Sequence, residues 1–238
     1  MLNEILKHKV ISFVGSGGKT TLMFALAKKL SLLGKKVIVT TTTKIYIPQN
    51  HPVVLPDKDI ISMSSTSRSL ESLKEIMASQ IELSLNNDNI CVTGSLCLRK
   101  DHYEPQKLCS YELCGFSARD FLSLADFVLI EADGSKHKPL KFPGENEPVI
   151  PIESDLVIAV AAMWCAGQSI SQVCHRYELA CRFLSSQYGY EISKDHIVTR
   201  EDVMRIMNSK SGYRKNVGDR AFLKYIFYNE DDYADFEI

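Results

Sequence analysis

The sequence has no long apolar run, no excess of either charge, no internal repeat and no closely spaced cysteine pair. Each absence closes off a class of protein. The stretch from Met1 to Gly15 is too short in apolar residues to span a bilayer, and it lacks the hydrophobic region of a secretory signal, so the expected location is cytoplasmic with no membrane partner. With 28 Lys plus Arg against 29 Asp plus Glu the net charge is -1, which gives no broad field for nucleic acid or anionic membranes. The seven cysteines are an odd number, with no Cys-x-x-Cys pair and no short Cys/His cluster. That argues against a disulfide framework or a structural zinc site and predicts reduced thiols in the core. Of the 238 residues, 45% are apolar and 24% charged, values that exclude disordered and fibrous classes and suit one large domain.

What is present is an alternation of buried strands and amphipathic helices. Lys9 to Val14 is a short apolar run ending in glycines, and it reads as a buried strand entering a turn. A helix follows over Thr21 to Leu33, with Leu22, Leu26, Leu30 and Leu33 on one face and Gly34 as its stop. Lys36 to Thr41 is a second strand, completing a βαβ unit of about 30 residues, as a right-handed parallel crossover requires. Pro48 to Pro56 reads as a loop, and Ser67 to Leu85 as a helix with Leu70, Leu73, Ile76, Met77 and Ile81 inward. Further strands are predicted at Asn89 to Thr93, Phe127 to Glu131, Asp155 to Ala162 and Phe222 to Tyr228. Further helices are predicted at Ser117 to Leu124, Arg176 to Gln187 and Glu201 to Met207, with a proline-rich connection from Gly144 to Pro151. Gly94 to Tyr111 reads either as a hairpin or as a loop insertion. The expected architecture is a three-layer α/β/α P-loop fold with a mostly parallel sheet, a single domain over 1–238 with room for a small insertion around 94–116.

The chemistry concentrates in Gly15-Ser16-Gly17-Gly18-Lys19-Thr20-Thr21, which joins the first strand to the first long helix. Main-chain N–H groups of such a turn and of the helix start point at an anion, and the helix dipole adds to the attraction. Lys19 would reach the terminal phosphates and the Thr20 hydroxyl would ligate Mg²⁺. The usual GxxxxGK[ST] pattern wants a glycine where Phe13 stands, so the loop is the compact GxxGKTT form. That form is similar to the loop of the Mur ligase and folylpolyglutamate synthase group. Thr42, Thr43 and Lys44 follow the second strand and are candidates for a second anion or substrate. Glu131 and Asp133 end the strand Phe127 to Glu131 and resemble a Walker B element. Glu131 is assigned to water-mediated metal binding or to a general base, and Asp133 to the metal or to ordering the turn; the two assignments are interchangeable. Lys136, Lys138 and Lys141 form a basic stretch, with Lys141 the preferred neutraliser of developing phosphoryl charge. His175 and Arg176 precede a helix and join the second-anion candidates. Asn229 and Asp232 have the NxxD spacing by which many GTPases read guanine.

Taken in order, VISFVGSGGKTTLMFALA, VIVTTTTKIY, VLIEADGSKHKPLKFPGENEPVIP and the later His-Arg pair resemble the YqeC family, described as selenium cofactor biosynthesis or selenium-dependent hydroxylase accessory proteins. The resemblance covers nearly the whole chain. It implies a P-loop protein engaged in maturation of selenium-dependent molybdenum hydroxylases, with such a hydroxylase or its cofactor as partner; Mg²⁺ and ATP or GTP as cofactors are the expectation from the loop residues themselves. It implies site roles for Thr42, Lys44, Glu131, Asp133, Lys141, His175 and Arg176, and it aligns Asn229 and Asp232 with an Asn and Asp of the family pattern. The reaction stays open between hydrolysis or phosphoryl transfer, an ATP-dependent ligase or small-molecule kinase, and a nucleotide-gated delivery protein without significant turnover.

Overall fold

The computed structural model describes residues 2–56, 67–99 and 102–228. Its strands are β1 (Val10–Gly15), β2 (Val37–Thr41), β3 (Lys44–Tyr46), β4 (Val53–Val54), β5 (Ile90–Thr93), β6 (Ser95–Arg99), β7 (His102–Cys109), β8 (Phe127–Glu131), β9 (Leu140–Lys141), β10 (Leu156–Ala162), β11 (Cys174–His175) and β12 (Ala221–Phe227). Its helices are α1 (Leu2–Ile5), α2 (Lys19–Leu32), α3 (Ser67–Asp88), α4 (Ala118–Leu122), α5 (Ile170–Val173), α6 (Tyr177–Tyr188) and α7 (Arg200–Asn208). Seven strands form the central sheet in the order β12-β10-β1-β8-β2-β5-β4. Every pairing in it is parallel.

The inner strands β1, β2, β8 and β10 are buried along their whole length, which is why they are continuous apolar runs rather than alternating ones. Alternate residues serve opposite faces. Ile11, Phe13, Val37, Val39 and Leu129 meet Leu22, Leu26 and Leu30 of α2. On the other face Val10, Ile38, Val128 and Ile130 meet Leu73, Met77, Ile81 and Leu85 of α3. Further along that face Val157, Ala159 and Ala161 meet Ala180 and Leu184 of α6 and Val203, Ile206 and Met207 of α7. The result is three layers, with helices on both sides of the sheet. Each fully buried Leu or Ile contributes about 1.5–3 kcal/mol to holding the layers together.

Several details differ from the sequence reading. Leu33 lies beyond the end of α2 and is 50% exposed, and Ile76 is 47% exposed because Leu73 and Met77 take the inward stripe of α3. The proline loop contains the short strand β4, which pairs with β5. The segment from Gly94 to Tyr111 contains a hairpin, β6 and β7, and β7 also pairs with β3 to make a separate antiparallel sheet. Within that sheet Cys97 and Cys109 are joined by a disulfide, with a Cα–Cα separation of 5.3 Å. This corrects the expectation of thiols throughout: antiparallel pairing brings together two cysteines that linear spacing keeps apart. Cys91, Cys114, Cys165, Cys174 and Cys181 are free and buried, as expected. Asn229 and Asp232 lie outside the described residues. Among the described residues, no helix is long and apolar enough to cross a membrane.

Candidate functional site

Strand β8 inserts between β1 and β2, so Phe13 and Thr41 are both in register with Glu131. The carboxyl ends of β1, β2, β8 and β10 therefore open onto one crevice, the usual place for a ligand in an open parallel sheet. Glycine is needed where β1 turns into α2. Gly15, Gly17 and Gly18 have φ of +91°, +69° and +107°, which only glycine adopts without strain. A Cβ on Gly17 would lie 2.9 Å from the Pro139 carbonyl and run into Ala162.

Gly18 is the N-cap of α2 and has no side chain with which to cap it. The first N–H groups of a helix need acceptors from elsewhere. Here the first bond of the helix is Leu22 N–H to the Gly18 carbonyl, and the amides of Gly17, Gly18, Lys19, Thr20 and Thr21 have no acceptor among the described residues. Five main-chain donors thus face a cleft of about 1180 Å³, which the same five residues help to line.

Lys19 is 4% exposed and donates from Nζ to the Gly15 carbonyl at 2.9 Å, with Glu131 Oε1 3.9 Å away. The Thr20 hydroxyl donates to Glu131 Oε2 at 2.5 Å. Hydroxyl, carboxylate and ammonium are therefore gathered at the start of α2. Among the described residues no group of three or more His, Cys, Asp or Glu is placed to hold a metal ion. A hard cation beside Thr20 and Glu131 would take its remaining oxygens from phosphate and water, the habit of Mg²⁺.

The other loop residues have different tasks. Ser16 N–H donates to the Val160 carbonyl at 3.0 Å, and its hydroxyl donates to the Pro139 carbonyl at 3.1 Å and lies 3.0 Å from the Tyr213 hydroxyl. Gly15 N–H donates to Asp133 Oδ2 at 3.4 Å. Neither Gly15 nor Ser16 reaches the cleft wall. Both fix the loop to β10 and to the turn after β8.

Asp133 is 1% exposed and Lys141 is fully buried, and the two form an ion pair away from the cleft wall. The Lys141 ammonium also donates to the Gly134 carbonyl at 2.6 Å and to Glu147 Oε2 at 2.7 Å. An ammonium has three donors, and these three acceptors use them all. The geometry therefore gives Lys141 no donor with which to meet a phosphoryl group, and gives Asp133 the task of ordering the loop. Glu147 in turn receives a bidentate contact from Arg176, Nη1 to Oε2 at 2.5 Å and Nη2 to Oε1 at 2.6 Å. Burial alone would raise the Glu147 carboxyl, but the hydrogen bonds and charges of Arg176 and Lys141 hold it down at about 2. Burial pushes the Asp133 carboxyl up, opposed by the charges of Lys141 and Lys19.

His175 and Arg176 line the cleft, as do Thr43 and Lys44. Burial, followed by the charges of Arg176, Lys141 and Lys136, lowers His175 to about 4, so its ring is neutral at pH 7. Thr42 is turned inward and donates to the Val149 carbonyl at 2.7 Å. Glu147 and Tyr213 escaped the sequence reading. Glu147 carried a signal, an acid in the proline-bounded GENEP segment, whereas Tyr213 had none. Tyr213 is fully buried beneath the loop, and its N–H donates to the Ile206 carbonyl at 3.0 Å, tying it to the end of α7. The capping box of Thr199 and Asp202 starts that helix.

A family model described as YqeC protein matches residues 11–178. The chain is also 31% identical over 211 residues to a protein of Escherichia coli (strain K12) described as "Uncharacterized protein YqeC", an alignment that covers 87% of this chain and 71% of that protein.

Proposed function

We propose, from the premise that the chain belongs to the YqeC family, that it binds ATP or GTP with Mg²⁺ and hydrolyses the triphosphate or transfers its terminal phosphoryl group. The process served would be maturation of selenium-dependent molybdenum hydroxylases. The observation that carries the reading is the uncapped start of α2: five amides from Gly17 to Thr21 with no acceptor among the described residues, at the end of a buried strand, beside a lysine. Such a cradle of convergent N–H donors at a helix start favours an anion with several oxygens.

In this reading the amides take the phosphate oxygens and Lys19 moves from the Gly15 carbonyl to a terminal phosphate. The hydroxyl of Thr20 and the carboxylate of Glu131, 2.5 Å apart, are the residues that would hold Mg²⁺. When bound, the ion would neutralise phosphate charge and align the terminal group. Glu131 also orients an attacking hydroxyl or water and accepts its proton. Gly15 and Ser16, held by Asp133 and Tyr213, keep the amides in place, so that little reorganisation accompanies binding.

A second reading, a small-molecule kinase or ligase, is supported by the size of the cleft, which exceeds the usual range of about 300–1,000 Å³ for one ligand. The test is a calorimetric titration of ATP, GTP and CTP, with and without Mg²⁺, into wild type and Lys19→Ala, with phosphate release followed in parallel. Loss of one charge-assisted contact of about 1.5–3 kcal/mol weakens binding roughly tenfold to a hundredfold. If wild type and Lys19→Ala bind every triphosphate alike, the assignment of the loop is wrong.

A further inference from the structure

Beside the glycine loop, the same cleft is lined by residues of β3, β7 and the turn after β8. Strand β3 alternates, with Lys44 and Tyr46 exposed and Ile45 buried in the core, so the first two point the same way. Register places Lys107 of β7 opposite Tyr46, and its ammonium lies 4.8 Å from the centre of the Tyr46 ring. The turn after β8 comes across to meet this sheet: the His137 ring lies 5.5 Å from that of Tyr46, tilted by 42°.

That turn is strained. Lys136 and His137 both have left-handed backbones, with φ of +50° and +62°, a conformation that costs a non-glycine residue about 1–2 kcal/mol. Two such residues in succession direct a lysine and an imidazole into the cleft, and strain of this kind gathers at ligand sites. The charge on this wall is of one sign. Lys44, Lys107, Lys136 and Lys138 all line the cleft. Its two carboxylates stand elsewhere, Glu131 beside Thr20 and Lys19, and Glu147 on Arg176 and Lys141. The ammonium groups of Lys44 and Lys136 have no acceptor among the described residues. Tyr46 is 47% exposed, an aromatic surface beside a row of cations.

We propose that the wall formed by Lys44, Tyr46, Lys107, Lys136 and His137 binds a second ligand, a phosphorylated compound with a planar aromatic ring, while a triphosphate occupies the glycine loop. The inference rests on the triphosphate reading for its word "second". The ring stacks on the exposed part of Tyr46, with His137 at its edge, and the phosphate meets Lys44 and Lys136. Stacking and ion pairing act on different parts of one molecule, so a compound that has both binds more tightly than its ring or its phosphate alone.

The test uses the full chain and two fluorescent probes, pyridoxine 5′-phosphate and flavin mononucleotide, titrated in the presence and absence of Mg²⁺ with the β,γ-imido analogue of ATP. Pyridoxine, riboflavin and inorganic phosphate are the ring-only and anion-only controls. At least one probe is expected to bind the analogue-loaded protein, at least tenfold tighter than its controls. The pair Lys44→Ala with Lys136→Ala, and separately Tyr46→Ala, should weaken that probe tenfold or more and leave binding of the ATP analogue unchanged. Lys44→Gln with Lys136→Gln serves if the alanine pair lowers the thermal midpoint. Binding of neither probe, equal binding to the variants, or displacement of the analogue by the probe would each overturn the proposal; displacement would mean that the wall holds the nucleotide's own base. A protein that binds a probe but no triphosphate would instead sink the reading of the glycine loop and leave the aromatic anion site standing alone.

Discussion

Replacing Lys141 by methionine tests the link between the buried charges and the loop. The substitution keeps an unbranched side chain one atom shorter and removes its charge. Asp133, 1% exposed, then keeps, among the described residues, only the Gly15 amide at 3.4 Å as a direct donor, while Glu147 retains both nitrogens of Arg176. Breaking a buried ion pair from one side costs about 3–5 kcal/mol, because the remaining charge is left without compensation. A domain of ordinary stability has about 5–15 kcal/mol in total, so the variant should stay folded but lose a large share. At about 2–4 °C per kcal/mol for a chain of this size, the thermal midpoint should fall by about 6–20 °C. Urea denaturation gives the free energy, and an unchanged slope would show that the folded state keeps its compactness. Adding Asp133→Asn to Lys141→Met should recover more than half of the loss, since no charge is then stranded. A loss under about 1 kcal/mol, the level of exposed ion pairs, would mean that water reaches this network and that Asp133 does not hold the loop through it.

Two further outcomes follow from the same geometry. The Glu147 carboxyl is held near 2 against an ordinary value of 4.5, so its contribution is fully present above the ordinary value and is lost as pH falls from about 5 towards 2. With 24% of the side chain exposed, screening reduces that contribution to about 1–2 kcal/mol. Denaturation of wild type and Glu147→Gln at a series of pH values should give curves that converge on acidification, and parallel curves would refute the pairing. Gly17→Ala should cost about 2–4 kcal/mol, because a side chain there meets Pro139 and Ala162 with φ at +69°. Gly134→Ala, where nothing lies within 4 Å, should stay within about 0.5 kcal/mol. Equal melting temperatures for the two would refute the packing argument.

The parts of the fold that could be read from the sequence are those in which one local signal decides the structure. Buried parallel strands such as Leu156–Ala162 must be apolar throughout, and the glycines of the loop announce a turn that only glycine permits. Contacts made by topology were not readable. Tyr213 reaches Ser16 across 197 residues, and no pattern near either residue signals the other. Cys97 and Cys109 meet because β6 and β7 pair antiparallel, whereas the sequence left that segment open between hairpin and loop. Among the three lysines after the acidic turn, the sequence reading prefers Lys141 as the neutraliser of phosphoryl charge. In the structure its ammonium is buried and meets three acceptors, contacts that no local pattern in the sequence announces.

That distinction divides the cations of the cleft region into two kinds. Asp133, Lys141, Glu147 and Arg176 form a chain with two charges of each sign, which is neutral as a unit and projects little field into the cleft. Its effect is geometric: it ties the Gly15 amide, through Asp133, to the start of α6 at Arg176, on another wall of the same cleft. On the proposed reading, the field that draws the triphosphate comes from the α2 amides and Lys19, and the field that draws the second ligand from Lys44 and Lys136. Attraction and rigidity are thus assigned to different residues. On that reading the loop would keep its shape with or without an anion, because no member of the neutral chain has to leave its partner for the anion to bind.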